Sequence, residues 1–270
     1  MYWDTHMHCS FSGDSKSSPD SMIQSAVSKG LYGICFTDHM DYDYPARPQE
    51  PVTFEFEPAC YERAMLALQE SYAGRIRILR GIELGLQPHL AQRHTELLEA
   101  YSYDFVIASS HVVHGKDPYY ADYYEGRSED AAYLEYFESI LENICAFHDF
   151  DVYGHIDYVV RYGPDKNKYY SYEKYSDVID EILKKLISLG KGIELNTAGF
   201  KYGLGHPNPC EEILKRYRGL GGEILTIGAD AHEPQHVAYA FDTLPQLLCA
   251  CGFSHYTVFE NRRPQFLPVS

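Results

Sequence analysis

Short apolar runs alternate along the chain with longer stretches in which apolar residues recur every three or four positions. The short runs predict strands at residues 2–6, 31–37 (LYGICFT), 76–84 (IRILRGIEL), 105–109 (FVIAS), 152–155, 192–196 (GIELN) and 224–228 (ILTIG), with a last apolar run at 256–259. The longer stretches predict helices over 19–29, 58–72, 89–100, 129–147, 175–189, 209–218 and 241–251. In the first of these Ser18 can cap the helix, Pro19 suits its first position and Gly30 can close it. Strands that alternate with helices imply βα units and a parallel sheet. The count is close to a closed (β/α) barrel with one unit missing. An open doubly wound sheet is the alternative, although the first loop lacks the GxGxxG of a dinucleotide-binding version. There is no repeat, low-complexity segment or linker, so one domain is expected over 1–270. The Pro-rich piece 44–58 and the Tyr-rich pieces 119–124 and 162–175 read as long loops, which in compact domains are often functional.

In a (β/α) barrel the chemistry sits at the C-terminal ends of the strands. Each expected end carries polar side chains. The first has Asp4, His6 and His8, with Asp14 soon after, and the second has Asp38 and His39. The third ends in Glu83, and the fourth in His111 with His114 beyond. The fifth has His155 and Asp157, the sixth Glu194 and Asn196, and the seventh Asp230 and His232. A lone His after a strand means little; a His or carboxylate at nearly every end is a pattern. His6 and His8 are two apart on an extended segment, so both point the same way, and Asp230 and His232 repeat the spacing. Mixed imidazole and carboxylate donors favour Zn, Mn or Fe over Mg or Ca. Glu83 has two oxygens and can join two ions, so it is the bridging candidate.

Charge narrows the function. Lys+Arg 23 against Asp+Glu 39 gives a net charge of −16, which argues against a general nucleic-acid binder. An anionic substrate stays open, because bound cations reverse the sign inside one pocket. No apolar run approaches the roughly 18 residues of a membrane span, and the first residues lack the basic and apolar regions of a secretion signal. The expected compartment is therefore the cytoplasm. Seven cysteines without CxxC spacing read as free thiols, with Cys9 a packing residue beside the site.

The motifs DTHMH, FTDH (36–39), GIE (81–83), SSH (109–111), GHID (154–157) and GADAH (228–232) resemble, in order and spacing, those of the polymerase-and-histidinol-phosphatase (PHP) superfamily along essentially the whole chain. The resemblance implies a distorted (β/α)7 TIM-like barrel holding two to three divalent ions (Zn, Mn or Fe). Arg161 after the strand-five His, the segment ELNTAG (194–199) and Asp14 resemble the monofunctional histidinol-phosphate phosphatase branch. Carried over residue by residue, the first ion falls to His6, His8, Glu83 and Asp230, the second to Glu83, His111 and His155, and the third to Asp14, His39 and His232. Asp4 and Asp38 would either orient imidazoles or shape turns.

The activity implied is hydrolysis of L-histidinol phosphate, a small-molecule phosphate ester, by a metal-bridging hydroxide, with Asp230, His232 and Arg161 as catalytic residues. Arg161, His114 and Lys201 would contact substrate, with His206 a further candidate. Asp41, Asp43, Tyr44, Asp117 and Tyr119 are candidates for the pocket of a cationic leaving group. The remaining histidines, His89, His94, His148, His236 and His255, read as structural or exposed. Rival activities are hydrolysis of another small phosphate ester (a nucleotide or aminoalkyl phosphate) or of phosphotyrosine. A regulatory or proofreading module is a rival of another class, against which the chain lacks a polymerase domain and a basic track for DNA. No membrane partner is expected, and a homodimer is compatible with the chain.

Overall fold

The apolar runs become strands whose side chains are almost all buried. They are β1 (Trp3–Met7), β2 (Gly33–Phe36) with its short continuation β3 (His39–Met40), β4 (Arg77–Gly85), β5 (Phe105–Ser109), β6 (Val152–Tyr153), β7 (Gly192–Asn196) and β8 (Leu225–Gly228). This computed structural model describes residues 2–47, 49 and 51–269; Pro48 and Glu50 of the Pro-rich piece lie outside that set. The sheet runs β1-β2-β4-β5-β6-β7-β8, with β3 paired to β4 and every neighbour parallel. Its two edges meet. Met7 bridges Ala231, His8 N donates to Ala231 O at 2.9 Å, and Asp230 N donates to His6 O at 2.8 Å. The result is a distorted (β/α)7 barrel, and the open doubly wound sheet does not occur.

Helices α1 (Pro19–Ser28), α2 (Pro58–Ser71), α3 (Ala91–Ala100), α4 (Glu129–Ala146) and α5 (Ser176–Ser188) follow successive strands. The short α6 (Ala198–Lys201), α7 (Glu211–Gly219) and α8 (Leu244–Ala250) complete the set. In α1 the Ser18 side chain accepts from Ser21 N, and Met22, Ile23 and Ala26 face the barrel. In α4, Tyr133, Tyr136, Phe137, Ile140 and Ile144 recur on the buried face. Burying each such large side chain contributes about 1.5–3 kcal/mol.

The apolar run after α8 is not another barrel strand. β9 (His255–Glu260) pairs antiparallel with β10 (Arg263–Pro268), and this hairpin lies across the N-terminal ends of the strands. Phe259 stacks on Phe105 at 5.4 Å between ring centroids, Thr257 Oγ1 accepts from Leu225 N at 3.3 Å, and Arg262 Nε donates to Asp151 at 2.7 Å. The sequence did not announce β10, because Pro264 and Pro268 fit only an edge strand. With one mouth of the barrel closed by the hairpin, the polar strand ends gather at the other.

Candidate metal centre

Glu83 stands at the middle of those ends, fully buried at the base of a cluster of imidazoles. Its Oε2 lies 3.2 Å from His6 Nε2 and 3.5 Å from His8 Nε2. Asp230 Oδ1 lies 3.8 and 3.4 Å from the same two nitrogens, which are 3.1 Å apart. A tetrahedral ion bound at about 2.1 Å separates its donors by about 3.4 Å, so His6, His8 and Glu83 already stand near three corners of such a cage, with Asp230 Oδ1 within 3.8 Å of both imidazole nitrogens. The other oxygen, Oε1, lies 2.9 Å from His155 Nε2 and 3.4 Å from His111 Nε2. The two oxygens of Glu83 thus face two different donor groups. At the rim, Asp14 Oδ2 lies 2.9 Å from His232 Nε2 and 3.7 Å from His39 Nε2, while His39 Nδ1 faces Glu83 Oε2 at 3.0 Å.

These residues fit divalent ions. Glu83 Oε2, His39 Nδ1 and His232 Nε2 are buried without a hydrogen-bond partner among the described residues, although each faces another donor atom. Unpaired buried polar atoms are costly, and a cation would satisfy them together. Burial works to raise the Glu83 pKa, but the imidazoles of His6, His111 and His39 hold the carboxyl well below its usual range. Burial, then the neighbouring His232 and His39, hold the His8 imidazole well below its usual pKa, so it stays neutral, as a ligand must be.

A second layer aims the rings. His6 Nδ1 lies 2.6 Å from Glu194 Oε1, His111 Nδ1 lies 2.7 Å from Asp41 Oδ2, and His8 Nδ1 lies 3.1 Å from Ser12 Oγ, which donates to Asp38 at 2.8 Å. Such partners fix the tautomer and leave Nε2 as the ligand atom. Asp38 therefore acts on an imidazole through Ser12. Asp4 does not: it accepts the backbone N–H of Ala229 at 3.0 Å and Ala238 at 2.8 Å and so ties β1 to the segment after β8. Neither Glu194 nor Asp41 stands out in the sequence as a partner of an imidazole. Gly228 makes room for the first pair, since a Cβ there would lie 2.2 Å from His6 Cβ and 2.5 Å from Glu194 Oε1. Asp230 adopts a left-handed backbone (φ 51°), a conformation that Asp tolerates better than most residues and that is common at functional sites. Glu194→Gln is expected to weaken metal affinity about 10–100-fold in a folded protein. Competition with a chromophoric chelator measures this, and unchanged affinity would remove Glu194 from the role.

A cleft of about 510 Å³ opens over the cluster. Arg161 and Lys201 line it, as do the rings of Tyr44, Phe54, Tyr158 and Tyr202. Arg161 is only 2% exposed; it donates to Asp230 Oδ2 and Asn208 Oδ1 at 2.8 Å each and to Asn196 Oδ1 at 3.0 Å. Lys201 Nζ reaches the Asp230 carbonyl at 3.3 Å. Asp41, Asp117 and Tyr119 also face the cleft, whereas Asp43 is exposed and faces His89 at 3.1 Å. His236, expected to be structural or exposed, lies on the cleft wall, and His206 does not. His114 requires a correction. Its backbone turns left-handed (φ 48°) and sends the ring outward between Glu135 and Glu142 at 3.2 and 3.1 Å, away from the cleft that His111 lines.

A distorted (β/α)7 barrel with a buried cluster of imidazole and carboxylate donors at its C-terminal mouth defines a protein built around a metal centre. Residues 4–198 match the PHP domain family, and the chain belongs to it. The chain is 28% identical over 266 residues to the histidinol-phosphatase of Lactococcus lactis subsp. lactis, covering 96% of this chain and 95% of that one. It is 29% identical over 265 residues to a probable histidinol-phosphatase of Clostridium acetobutylicum, covering 97% and 98%. The crystal structure of the L. lactis histidinol phosphate phosphatase, complexed with zinc, L-histidinol and phosphate, superimposes with a TM-score of 0.90 over 98% of both chains.

Proposed function

We propose that the protein is a metal-dependent phosphomonoesterase that hydrolyses L-histidinol phosphate to L-histidinol and phosphate, acting as one domain in the cytoplasm. The observation that carries this reading is the divided Glu83: one carboxylate faces two imidazole groups whose spacings suit zinc. The solved relative with zinc, L-histidinol and phosphate supports the substrate. The seven cysteines are all free, which suits a reducing compartment, and no helix among the described residues is long and apolar enough to cross a membrane.

His6, His8, Glu83 and Asp230 would hold one ion, Glu83, His111 and His155 a second, and Asp14, His39 and His232 a third. When bound, such ions bring the pKa of water down toward 7 and offset charge on phosphoryl oxygens. The protein's own groups do the rest. Three of the five N–H groups of Arg161 are committed to Asp230, Asn208 and Asn196. Among the described residues the remaining two meet no acceptor and can serve phosphoryl oxygens, a geometry that guanidinium suits. Burial lowers the Lys201 pKa, while its ammonium adds a second positive charge on the same wall. Asp230 and His232 serve as ligands rather than acids, and Asp230 also aligns Arg161. The aromatic wall and the carboxylates of Asp117 and Glu233 offer a cation-friendly surface to an ammonium or imidazolium leaving group.

Phosphate release should be measured with the Zn- or Mn-loaded protein on L-histidinol phosphate, p-nitrophenyl phosphate, nucleotides, an aminoalkyl phosphate and a phosphotyrosine peptide. A kcat/KM of about 10⁵ M⁻¹s⁻¹ or more on histidinol phosphate, far above the others, is expected. Preference for any other ester would reassign the substrate.

A further inference from the structure

Arg161 is surrounded by negative charge at two distances, and the arrangement is selective. One carboxylate, Asp230, touches it. Its other two partners are neutral amide oxygens. Asn208 Oδ1 accepts from Nε at 2.8 Å, and Asn196 Oδ1 accepts from Nη2 at 3.0 Å. Each amide is in turn held by a carboxylate one step further out. Asn208 Nδ2 donates to Asp157 Oδ1 at 2.6 Å, and Asn196 Nδ2 donates to Glu194 Oε2 at 3.1 Å and also to Asp230 Oδ2 at 3.4 Å. Asp157 is itself fixed, its Oδ2 accepting from Cys210 N at 2.9 Å and from the Tyr170 hydroxyl at 3.3 Å.

The two asparagines are fully buried and paired through their backbones, which exchange two N–H···O bonds of 2.8 Å each. Gly199 permits the approach, because a Cβ there would stand 2.3 Å from His206 O. That is a physical reason for the glycine in ELNTAG.

A carboxylate in direct contact would pair with the guanidinium and compete with a phosphoryl group for it. An amide oxygen orients the same N–H without supplying a negative charge. We infer that Asn208 and Asn196 are positioning residues: neutral spacers that aim Arg161 into the cleft while keeping the carboxylates of Asp157 and Glu194 one hydrogen bond away, so that its positive charge stays available to a phosphate group. This rests on the phosphomonoester reading above. Asn208 is the cleaner probe, because none of its hydrogen bonds involves a proposed metal ligand.

The test uses the metal-loaded full chain and inorganic phosphate as the probe, read as its inhibition constant against a phosphate ester and as its shift of the melting temperature. Asn208→Asp is nearly isosteric. It sets a second carboxyl against Nε and beside Asp157, and because two buried carboxyls this close share a proton at lower pH, phosphate binding is read at alkaline pH, where the added charge is present. The phosphate inhibition constant and KM are expected to rise together by about tenfold to hundredfold, the range for a hydrogen bond to a charged group, with kcat and metal content changed much less. Asp157→Asn removes the outer charge and replaces one accepting oxygen by an NH2, which loosens the anchor shared by Asn208, Cys210 N and the Tyr170 hydroxyl, so a smaller rise in the same two constants is expected. Arg161→Ala sets the scale.

If phosphate binding in folded, metal-loaded Asn208→Asp and Asp157→Asn matches wild type while Arg161→Ala weakens it, the spacer role is overturned and the phosphatase reading stands. A wild-type protein that neither binds phosphate nor turns over phosphate esters overturns both. Should Asn208→Asp fail to fold, Asp157→Asn decides alone: an unchanged phosphate constant overturns the inference.

Discussion

Glu83→Gln is expected to lower kcat by about 10³–10⁴-fold while leaving a folded barrel. The size follows from electrostatics. A metal centre contributes several kcal/mol to stabilising developing charge, and each 1.36 kcal/mol is tenfold in rate. Glu83 faces two donor groups, with Oε2 near His6 and His8 and Oε1 near His155 and His111. Glutamine keeps the shape but offers one weakly basic oxygen, and its NH2 turns toward one of the groups as a donor. It also removes the negative charge that offsets two cations in a fully buried site. Metal content by elemental analysis should therefore fall together with activity, and far-UV circular dichroism should not change. A Gln variant with wild-type turnover and full metal content would end the bridging assignment.

Stripping the ions with a chelator is expected to abolish activity and to lower the melting temperature by about 8–16 °C. A ligand held at 1,000 times its dissociation constant stabilises by about 4.1 kcal/mol, and a chain of this size shifts by roughly 2–4 °C per kcal/mol. The pH dependence has a definite sign. Burial works to lower the His111 pKa, but the Asp41 and Glu83 carboxylates outweigh it and raise the value to about 10 in the metal-free protein. A group raised above its unfolded value of 6.5 stabilises fully below that value, and the stabilisation is lost as pH rises through about 10. Protons and metal compete for the same imidazole, so metal protection should shrink as pH falls, while the stripped protein is relatively favoured at low pH. Melting curves with and without metal at several pH values check this. Identical curves at all pH values would show that the cluster does not bind the ions tightly.

Much of this was legible from local pattern. Period-two and period-3.6 spacing marks where strands and helices form, because side-chain direction repeats with backbone geometry. The bounds of β5 and β7 coincide with the expected runs, and those of α1 and α4 fall within a residue of the expected ends. β6 is the least regular: only Val152–Tyr153 pair as strand, and His155 turns away at φ 20°. The strand-end rule then collected His6, His8, Glu83, His111, His155 and Asp230 at one face, and in the structure they do stand together.

What the pattern could not supply was contact between residues far apart in the chain. Glu194 meets His6 across 188 positions and Arg161 meets Asn208 across 47, and no periodicity reports such pairs. His114 shows the converse. It is close to His111 in sequence, yet one left-handed backbone step aims it at α4 and into solvent. By itself the sequence determined most of the elements, their βα alternation and the kinds of atom at each strand end, all of which follow from local side-chain chemistry and spacing; β3, α6 and β10 and the closure of the sheet did not follow from it. Only the tertiary structure decided which carboxylate orients which imidazole, which oxygen of Glu83 faces which group, and how Arg161 is aimed, because the closing of β1 onto β8 and the stagger of the strands set those distances.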